Sequence, residues 1–351
     1  MAKNILITGA GGYIGGTLLT KVISQENGLI KAANITATVR SAEQAQRLSE
    51  FGFNAIELDL KNEEVVKQAV ISNNIDVVVH IASAMETAIA ANLIKALGER
   101  RKLGTGKAYF IHSSVTAVFS KENGWPFGEV KDTDPLYENE KQLAPGHPVR
   151  DTNVLVTDLA KAEGVTSLIV VVPVVYGTGS GEFRNISSAI PSFIRASIEL
   201  QTVYKFDKDA TPATTHVSDI VGLYMLLVEK ILNNEPLPTG DKGYHFAMAH
   251  KTSWWKVMQR LAEELHALGL VNEPNVAIWP SDEMAAKSLG WPPSYVRAMG
   301  TSSGDIIPVN PFRLGWQPTW TEERFLGNMD EEIRATLEQG DKFKSTLYDS
   351  L

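Results

Sequence analysis

The stretch Ile5-Leu6-Ile7-Thr8-Gly9-Ala10-Gly11-Gly12-Tyr13-Ile14-Gly15 decides the fold predicted for this chain. It joins an apolar run of strand length to a glycine-rich turn and the start of a helix. In such a turn Gly9 can adopt backbone angles that other residues avoid, Gly12 leaves room for phosphates beside the main chain, and Gly15 lets the helix pack closely against the strand. The unpaired N–H groups of the first helical turn then face an anion. The stretch therefore predicts a site for the pyrophosphate of a dinucleotide.

Composition and charge restrict the class of protein. The 351 residues are 44% hydrophobic, which is enough to bury a large core and to form one large domain with a smaller satellite. The formal net charge of -8 argues against nucleic acid or an anionic membrane as the main partner, since no basic surplus is present to neutralise phosphates. The absence of cysteine excludes disulfides, thiolate nucleophiles and thiolate metal sites. We therefore expect a small molecule as the partner.

Two further features of the sequence bear on location and on metal binding. The sequence begins without a charged-then-apolar leader, and no apolar run is long enough to span a membrane, so we expect a cytoplasmic protein. The seven histidines show no paired ligand spacing, so we expect no metal site.

Apolar runs of strand length alternate with helical segments through the first half of the chain. This alternation is typical of a parallel sheet that is covered by helices on both faces. After the first strand, the predicted strands are 35–39, 55–58, 76–81, 108–112 and 167–172, and the predicted helices between them include 43–51, 63–71, 88–97 and 151–163. We therefore predict an α/β fold built on a Rossmann-type, doubly wound parallel sheet.

The regular alternation of strand and helix patterns ends at about Tyr176, where the predicted loops become longer and Pro and Trp become frequent. We place a dinucleotide-binding domain at residues 1–175 and a smaller, irregular substrate-binding domain at residues 176–351, some segments of which return to the first domain. One strong amphipathic helix, 219–232, falls in the second region, with Ser218 as its expected N-cap. Six tryptophans of this region either shape an aromatic pocket or pack a small irregular core: Trp254, Trp255, Trp279, Trp291, Trp316 and Trp320.

Several further motifs follow the glycine turn in order along the chain. They are Leu58-Asp59-Leu60, His80-Ile81-Ala82, Phe110-Ile111-His112-Ser113-Ser114, Pro173-Val174-Val175-Tyr176-Gly177 and Thr215-His216-Val217-Ser218-Asp219. With the TGxxGxxG pattern at residues 8–15, this series resembles the extended short-chain dehydrogenase/reductase family over residues 3–232. More narrowly, residues 148–181 resemble a largely fungal branch of NAD-dependent epimerase/dehydratase-like proteins. The resemblance implies a nicotinamide dinucleotide cofactor, an oxidoreductase activity and a homodimer.

The resemblance also implies which residues contact the cofactor. They gather at the carboxyl ends of the predicted strands, where ligands bind in open parallel sheets. The set comprises Gly9, Gly12, Tyr13, Ile14, Gly15, Arg40, Ser41, Asp59, Leu60, Ala82, Ser83, Ser113, Pro173 and Val175. The nicotinamide would lie in the cleft between this edge and the second domain.

The end of the second predicted strand discriminates between the two nicotinamide cofactors. A carboxylate there usually holds an adenine ribose with free hydroxyls, whereas a 2′-phosphate requires a cation. This chain has Arg40, whose planar fork of donors suits a phosphate, and Ser41, whose hydroxyl adds a further donor. We therefore expect NADP rather than NAD. The alternative is that Arg40 is a solvated surface residue.

Tyr137 and Lys141 have the YxxxK spacing that the family uses for proton transfer. In the family, the lysine lowers the pKa of the tyrosine from the same helix face, and the tyrosine then donates the proton. By resemblance, Ser114 or Thr116 would polarise the substrate carbonyl. Against this assignment, Pro145 follows closely and would break the helix just after Lys141.

A second pair with the same spacing, His147 and Asp151, lies near the place that the family tyrosine would occupy when residues are counted back from Pro173. His147 could act as a general acid near neutral pH, with Asp151 orienting its ring. Val115 stands where the family usually has its catalytic hydroxyl, and Val171 replaces an arginine that would hold a nucleotide sugar. Three options therefore stay open: either pair is catalytic, or neither is.

These observations lead to two functional hypotheses. The first is an NADP(H)-dependent oxidoreductase that transfers hydride to or from a small carbonyl or alcohol. The second is an NADP-binding protein without redox turnover, which acts as a sensor or supports a lyase or isomerase step on the same fold.

Overall fold

The computed structural model describes residues 3–25, 28–104, 106–143 and 145–339. Within them the strands are β1 (Asn4–Thr8), β2 (Ile35–Val39), β3 (Asn54–Glu57), β4 (Ile75–His80), β5 (Tyr109–Val115), β6 (Val130–Lys131), β7 (Thr166–Val172), β8 (Val174–Tyr176), β9 (Val203–Lys205), β10 (Ala213–His216), β11 (Tyr244–Phe246), β12 (His250–Lys251), β13 (Val276–Ile278) and β14 (Ile306–Ile307). The helices are α1 (Tyr13–Ser24), α2 (Ala42–Ser49), α3 (Glu63–Ser72), α4 (Thr87–Lys102), α5 (Leu136–Gln142), α6 (Pro148–Glu163), α7 (Ala189–Leu200), α8 (Val217–Leu232), α9 (Trp254–Ala267), α10 (Asp282–Leu289), α11 (Val296–Thr301), α12 (Asn310–Arg313), α13 (Glu322–Gly327) and α14 (Met329–Gln339). None of the helices in these ranges combines the length and the apolar character needed to cross a bilayer.

Seven strands form one parallel sheet in the order β11-β7-β5-β4-β1-β2-β3. The chain starts at the centre with β1, adds β2 and β3 on one side, and then continues on the other side with β4. The central strands are continuous apolar runs because both faces of the sheet are buried. This arrangement confirms the Rossmann-type, doubly wound α/β fold predicted from the sequence.

Helices cover the sheet on both sides. Apolar residues of α1, α2 and α8 pack on one face, and those of α3, α4 and α6 pack on the other. The direction of chain progression reverses between β1 and β4, which leaves a crevice at the carboxyl ends of these two strands. We call this end of the sheet the carboxyl edge.

Predicted and observed strand boundaries differ by one residue at most, except in β5. This strand continues to Val115, three residues beyond its predicted end. The extension arises because residues 113–115 pair in register with residues 170–172 of β7. Ser113 and Ser114 therefore belong to a central strand and point to opposite faces of the sheet.

The N-cap predicted at Ser218 is wrong. Helix α8 begins at Val217, two residues earlier than predicted, and the ring Nδ1 of His216 accepts the hydrogen bond from the backbone N–H of Ser218 at 3.1 Å. The Ser218 hydroxyl contacts the same ring nitrogen at 2.8 Å. Because β10 runs directly into the helix, its last residue, His216, takes the capping position.

Two elements from beyond residue 176 join the large sheet. Strand β11 pairs with β7 at the sheet edge, and α8 packs against α1. Other segments form a separate hydrophobic core around α7, α9, α10 and α14, beside the small sheets β12-β10-β8 and β13-β9. The boundary between residues 175 and 176 stays a prediction, and residues 340–351 of the second predicted domain lie outside the described residues.

Packing accounts for most of the late tryptophans. Three are buried in the separate core and one against the large sheet, namely Trp254, Trp279, Trp291 and Trp316. Trp255 lies at the surface, where the Lys205 ammonium is 4.1 Å from its ring centroid. Trp320 stacks on the ring of His216, with centroids 3.9 Å apart. We therefore find core packing, rather than one shared aromatic pocket, as their main role.

Asp132, just after β6, fastens three segments together. Its buried carboxylate accepts backbone N–H bonds from Phe246 at 3.0 Å, Val309 at 2.9 Å and Asn310 at 3.0 Å. Burial raises the pKa of this carboxyl to about 6, although the three amides act in the opposite direction. The loop after β6 is thus held against β11 and α12 by one side chain.

Substituting Asp132→Ala leaves these amides without their acceptor inside the protein. We expect the free energy of unfolding to fall by about 3 kcal/mol, because unsatisfied buried donors are costly. Urea unfolding followed by circular dichroism measures the loss. Asp241→Ala removes an exposed carboxylate and should change the same quantity by less than about 0.5 kcal/mol. An equally small loss for Asp132→Ala would contradict the fastening role.

Candidate functional site

The glycine turn is closed by contacts that exclude a side chain. Gly9 has a φ of +72°, and a Cβ on it would lie 3.0 Å from the backbone nitrogen of Ala82. The backbone N–H of Gly12 donates to the Gly9 carbonyl at 2.9 Å. A Cβ on Gly15 would lie 2.2 Å from the same carbonyl oxygen. Positions 9 and 15 therefore require glycine, one for its backbone angle and the other for the close approach.

Helix α1 begins directly after this turn without a side-chain cap. Its N-cap, Gly12, is extended and offers no side-chain acceptor. The backbone N–H groups of Tyr13 and Ile14, in the first turn, have no acceptor within the helix and need one outside it. The positive end of the helix dipole favours an anion at this place. The arrangement fits the pyrophosphate of a dinucleotide.

Thr8 fixes the segment just after β4, which faces the glycine turn. Its hydroxyl oxygen accepts backbone N–H bonds from Ile81 at 3.2 Å and from Ala82 at 3.3 Å. The same oxygen lies 2.7 Å from Nδ1 of His80. Burial lowers the pKa of His80 to about 4, so the ring is neutral at pH 7. Because the Thr8 oxygen already accepts two N–H groups, its own O–H donates the hydrogen bond to this ring nitrogen. Thr8 therefore holds the residues just after β4, including Ala82, against Gly9.

The end of β2 presents Arg40 to solvent. Its guanidinium is exposed and has no hydrogen-bond or ion-pair partner within the described residues. Its backbone N–H donates to the Gln44 side chain at 3.3 Å. The Ser41 hydroxyl oxygen caps α2 by accepting the Gln44 backbone N–H at 3.3 Å. Arg40 and Ser41 thus stand together at the carboxyl edge with donors available.

Other predicted cofactor contacts follow the ends of β3 and β4. Asp59 is exposed just beyond β3. The neighbouring Leu60 carbonyl accepts a bond from the Asn92 side chain at 3.1 Å. Ser83 precedes α4, where its hydroxyl accepts two backbone N–H groups at 3.2 Å. These residues lie along the carboxyl edge, where the adenosine half of a dinucleotide is expected.

The hydroxyls predicted near the end of β5 lie in different surroundings. The Ser113 hydroxyl bonds that of Tyr224 in α8 at 2.5 Å. Ser114 is fully buried on the opposite face, and its hydroxyl has no partner within the described residues. Thr116 lies just past the strand and is partly exposed, with Gly304 packed beside its carbonyl. Of the three, Thr116 is therefore the hydroxyl that a substrate can reach.

The structure does not bring Tyr137 and Lys141 to the carboxyl edge. The Lys141 ammonium donates to the Tyr137 hydroxyl at 2.6 Å, and this hydroxyl donates to Asp158 at 2.5 Å. Asp158 is exposed on α6, about 12 Å further along the helix axis than Arg150. Arg150 marks the carboxyl edge because its guanidinium bonds the carbonyl of Val118, just beyond β5. The YxxxK pair is real, but its position argues against the catalytic role expected for it.

Helix α5 places this pair beside α6 because Glu140, which lies on the same side of the helix one turn after Tyr137, is anchored in the core. The buried carboxylate of Glu140 accepts the Tyr244 hydroxyl at 2.5 Å and the Asn153 side-chain amide at 2.9 Å. Burial raises the pKa of Glu140 to about 7. Since Tyr244 belongs to β11 and Asn153 to α6, α5 is fixed alongside α6. The Tyr137 ring is therefore buried against α6, and its hydroxyl reaches Asp158 on the outer side of α6 rather than the cleft.

His147 and Asp151 lie at the start of α6, at the carboxyl edge. His147 Nδ1 caps the helix by accepting the Arg150 N–H at 3.4 Å. The Asp151 carboxylate accepts the Gly146 N–H at 2.9 Å, so it supports the loop and does not orient the ring as expected. Burial and the Arg150 charge lower the pKa of His147. The ring is then neutral at pH 7, with its proton on Nε2.

The segment after β8 also belongs to this site. Pro173 links β7 to β8, the short strand that contains Val175. Beyond them, residues 177–185, which we call the strap, cross α1. The Tyr13 hydroxyl donates to the Gly177 carbonyl at 2.5 Å. The signal in the sequence is the glycine pair at 179 and 181, which permits close packing on Thr17 and Gly16 of the helix.

A doubly wound parallel sheet with an uncapped helix N-terminus behind a glycine turn defines a Rossmann-type protein. The profile of the NAD dependent epimerase/dehydratase family matches residues 5–238. The chain belongs to this family. The match includes the glycine turn, the carboxyl edge and the strap.

Known proteins with similar sequences or folds have several activities. The oxidase ucsJ of an Acremonium species is 23% identical over 314 residues, which cover 82% of this chain and 85% of that protein. UDP-glucose 4-epimerase from Thermotoga maritima, solved with UDP-glucose, matches with a TM-score of 0.64 and 19% identity, over 95% of this chain and 99% of that chain. dTDP-glucose 4,6-dehydratase from Bacillus anthracis, solved with NAD, matches with a TM-score of 0.62 and 14% identity, over 99% of each chain. The two solved structures share the fold of this chain.

Replacing Gly15→Ala tests the closed glycine turn. The added Cβ collides with the Gly9 carbonyl, so we expect the start of α1 to shift and NADPH affinity to fall by about tenfold, or about 1.4 kcal/mol. Fluorescence titration with NADPH measures the change. Gly222→Ala, in α8, is the matched control because a Cβ there meets nothing within 4 Å. Equal affinities for the two variants would contradict the role given to the turn.

Proposed function

We propose that this protein binds NADP(H) and transfers hydride to or from a small carbonyl or alcohol substrate. The observation that carries the proposal is the closed glycine turn, which directs the uncapped amides of α1 toward the carboxyl edge. Membership in the NAD dependent epimerase/dehydratase family supports a nicotinamide dinucleotide as the ligand. The carboxyl edge is also where ligands bind in open parallel sheets.

The preference for NADP over NAD is supported by Arg40. Its exposed guanidinium has no partner within the described residues, so its planar donors are available for a 2′-phosphate. Ser41 uses its oxygen to cap α2 and can still donate its hydroxyl proton. Neither position carries a carboxylate, which would repel the phosphate.

When bound, the cofactor supplies or accepts the hydride. Two side chains at the carboxyl edge can support the change at the substrate oxygen. Thr116 offers a partly exposed hydroxyl just past β5, and His147 has its Nε2 proton available because its Nδ1 caps α6. A hydrogen bond from either group would stabilise negative charge that develops on a carbonyl oxygen during reduction. Tyr137 is left out because Asp158 and Lys141 occupy its hydroxyl.

Arg40→Ala tests the cofactor preference. We expect the NADPH dissociation constant to rise about tenfold to a hundredfold, or about 1.4 to 2.8 kcal/mol, while NADH affinity stays unchanged. Titration of both cofactors measures the two effects separately. Arg313→Ala is the control, because this exposed arginine lies on α12 beside β11, at the opposite end of the sheet from β2. Equal losses for NADPH and NADH would overturn the role of Arg40.

A turnover assay tests the reaction and the assignment of its residues. We expect the wild-type protein to consume NADPH with at least one member of a panel of aldehydes and ketones. Tyr137→Phe should retain most of the rate, whereas His147→Ala should lower kcat about tenfold or more. The absorbance of NADPH follows both. Loss of turnover in Tyr137→Phe, with normal folding and NADPH binding, would restore the YxxxK pair as the catalytic one.

A specific observation favours a second function, NADP binding without redox turnover. Val115 stands in place of the usual hydroxyl, and the Tyr137 hydroxyl is engaged on the outer side of α6. A sensor, or a lyase or isomerase with the nucleotide as a fixed component, does not need that pair. Tight NADPH binding without consumption by any carbonyl of the panel would select this function over the first.

A further inference from the structure

Three distant segments meet at Gly177, the first residue of the strap. Its backbone N–H donates to the carboxylate of Glu332 in α14, and its carbonyl accepts the Tyr13 hydroxyl at 2.5 Å. Tyr13 is the first residue of α1, and its own N–H belongs to the proposed pyrophosphate site. Gly177 therefore connects α14 to α1, the helix of the proposed pyrophosphate site.

Gly177 has little freedom to move at this junction. Its φ is +93°, and a Cβ would lie 2.0 Å from Nε2 of His216. That ring is fixed by its Nδ1 bond to the Ser218 N–H and by stacking on Trp320. A displacement of α14 would therefore move Gly177, and Gly177 would move Tyr13, because the close contact with the His216 ring leaves Gly177 no room to adjust.

The strap is held by α1 and α14 along its length as well. On the α1 side, the Thr20 hydroxyl donates to the Ser180 carbonyl at 2.8 Å. On the α14 side, the Gln339 side chain donates to Asn185 at 2.6 Å. The contact between Glu332 and Gly177 is the one that lies directly over the start of α1.

We propose that Glu332 is a positioning residue of the cofactor site, which acts through Gly177 on Tyr13, so that the docking of α14 sets the affinity for the dinucleotide. The inference rests on the NADP(H) binding proposed above. Glu332 lies on a different helix from every predicted cofactor contact and does not itself touch the pyrophosphate site. In the sequence it is one of several acidic residues in a polar helix, and its spacing carries no signal of this role.

Burial of Glu332 gives the contact a pH dependence. The side chain is 5% exposed, and burial raises the pKa of its carboxyl to about 7. Because the fold raises this pKa, it favours the protonated form, and the stability gained from docking decreases as the pH rises through about 7. The titratable and charged groups around it are Tyr13, Tyr176, Arg184, His216, Arg324 and the adjacent Glu331.

The experiment compares NADPH binding by wild type, Glu332→Ala, Glu332→Gln and Glu331→Gln at pH 6 and pH 8. Glu332→Gln keeps an oxygen for the Gly177 N–H and cannot ionise, whereas Glu331→Gln makes the same change at an exposed neighbour. We expect Glu332→Ala to bind about tenfold more weakly at pH 6, or about 1.4 kcal/mol. From pH 6 to pH 8, the NADPH affinity of wild type and of Glu331→Gln should fall about threefold more than the affinity of Glu332→Gln. A difference of this size lies within the range of measured site-to-site couplings. Titration of the ligand's own phosphate is common to all variants and cancels in this comparison.

A double-mutant cycle with Tyr13→Phe tests the route through Gly177. The effects of Glu332→Ala and Tyr13→Phe should be less than additive, since both release the same glycine. Additive effects, or identical affinity of wild type and Glu332→Ala in folded protein, would overturn the inference. If Glu332→Ala does not fold, the comparison of wild type with Glu332→Gln tests the inference. An equal pH dependence of NADPH affinity in these two proteins would then overturn it. Absence of NADPH binding by the wild type would instead refute the proposed function.

Discussion

The approach of α1 to the carbonyl of Gly9 is the contact on which the rest of the site depends. A side chain at Gly15 would meet that carbonyl at 2.2 Å, so the helix can start this close to β1 because glycine stands there. The close start directs the uncapped amides of α1 toward the carboxyl edge. It also sets the position of Tyr13, whose hydroxyl donates a hydrogen bond to the first residue of the strap, Gly177. The proposed cofactor site and its link to α14 therefore begin at the same contact.

A second constraint separates cofactor binding from the family's proton-transfer pair. Glu140 is held by Tyr244 of β11 and Asn153 of α6, which fixes α5 along the flank of α6. Tyr137 and Lys141 lie on α5, and both side chains contact the exposed Asp158 of α6. Near the end of β5 and the start of α6, Thr116 and His147 then offer the polar groups that a substrate oxygen can meet. The geometry thus supports binding of a dinucleotide more directly than any one reaction performed with it.

Local patterns predicted the features that depend on local forces. Apolar runs predicted the strands because burial on both faces requires continuous apolar residues, and i, i+4 spacing correctly placed Tyr137 and Lys141 on one helix face. Spacing could not predict where that face points, since Glu140 is anchored by a residue 104 positions away in the chain. The cap at His216 was missed because serine is the commoner capping residue. Glu332 was missed because its partner, Gly177, is even more distant in the sequence, 155 residues away.

The most direct test of the account is a crystal structure of the protein with NADPH. We predict that the pyrophosphate lies within hydrogen-bond distance of the Tyr13 and Ile14 amides, that the 2′-phosphate contacts Arg40, and that Tyr137 still bonds Asp158. A pyrophosphate bound away from the start of α1 would contradict the account. So would a nicotinamide in contact with Tyr137, because the pair would then have moved to the cleft.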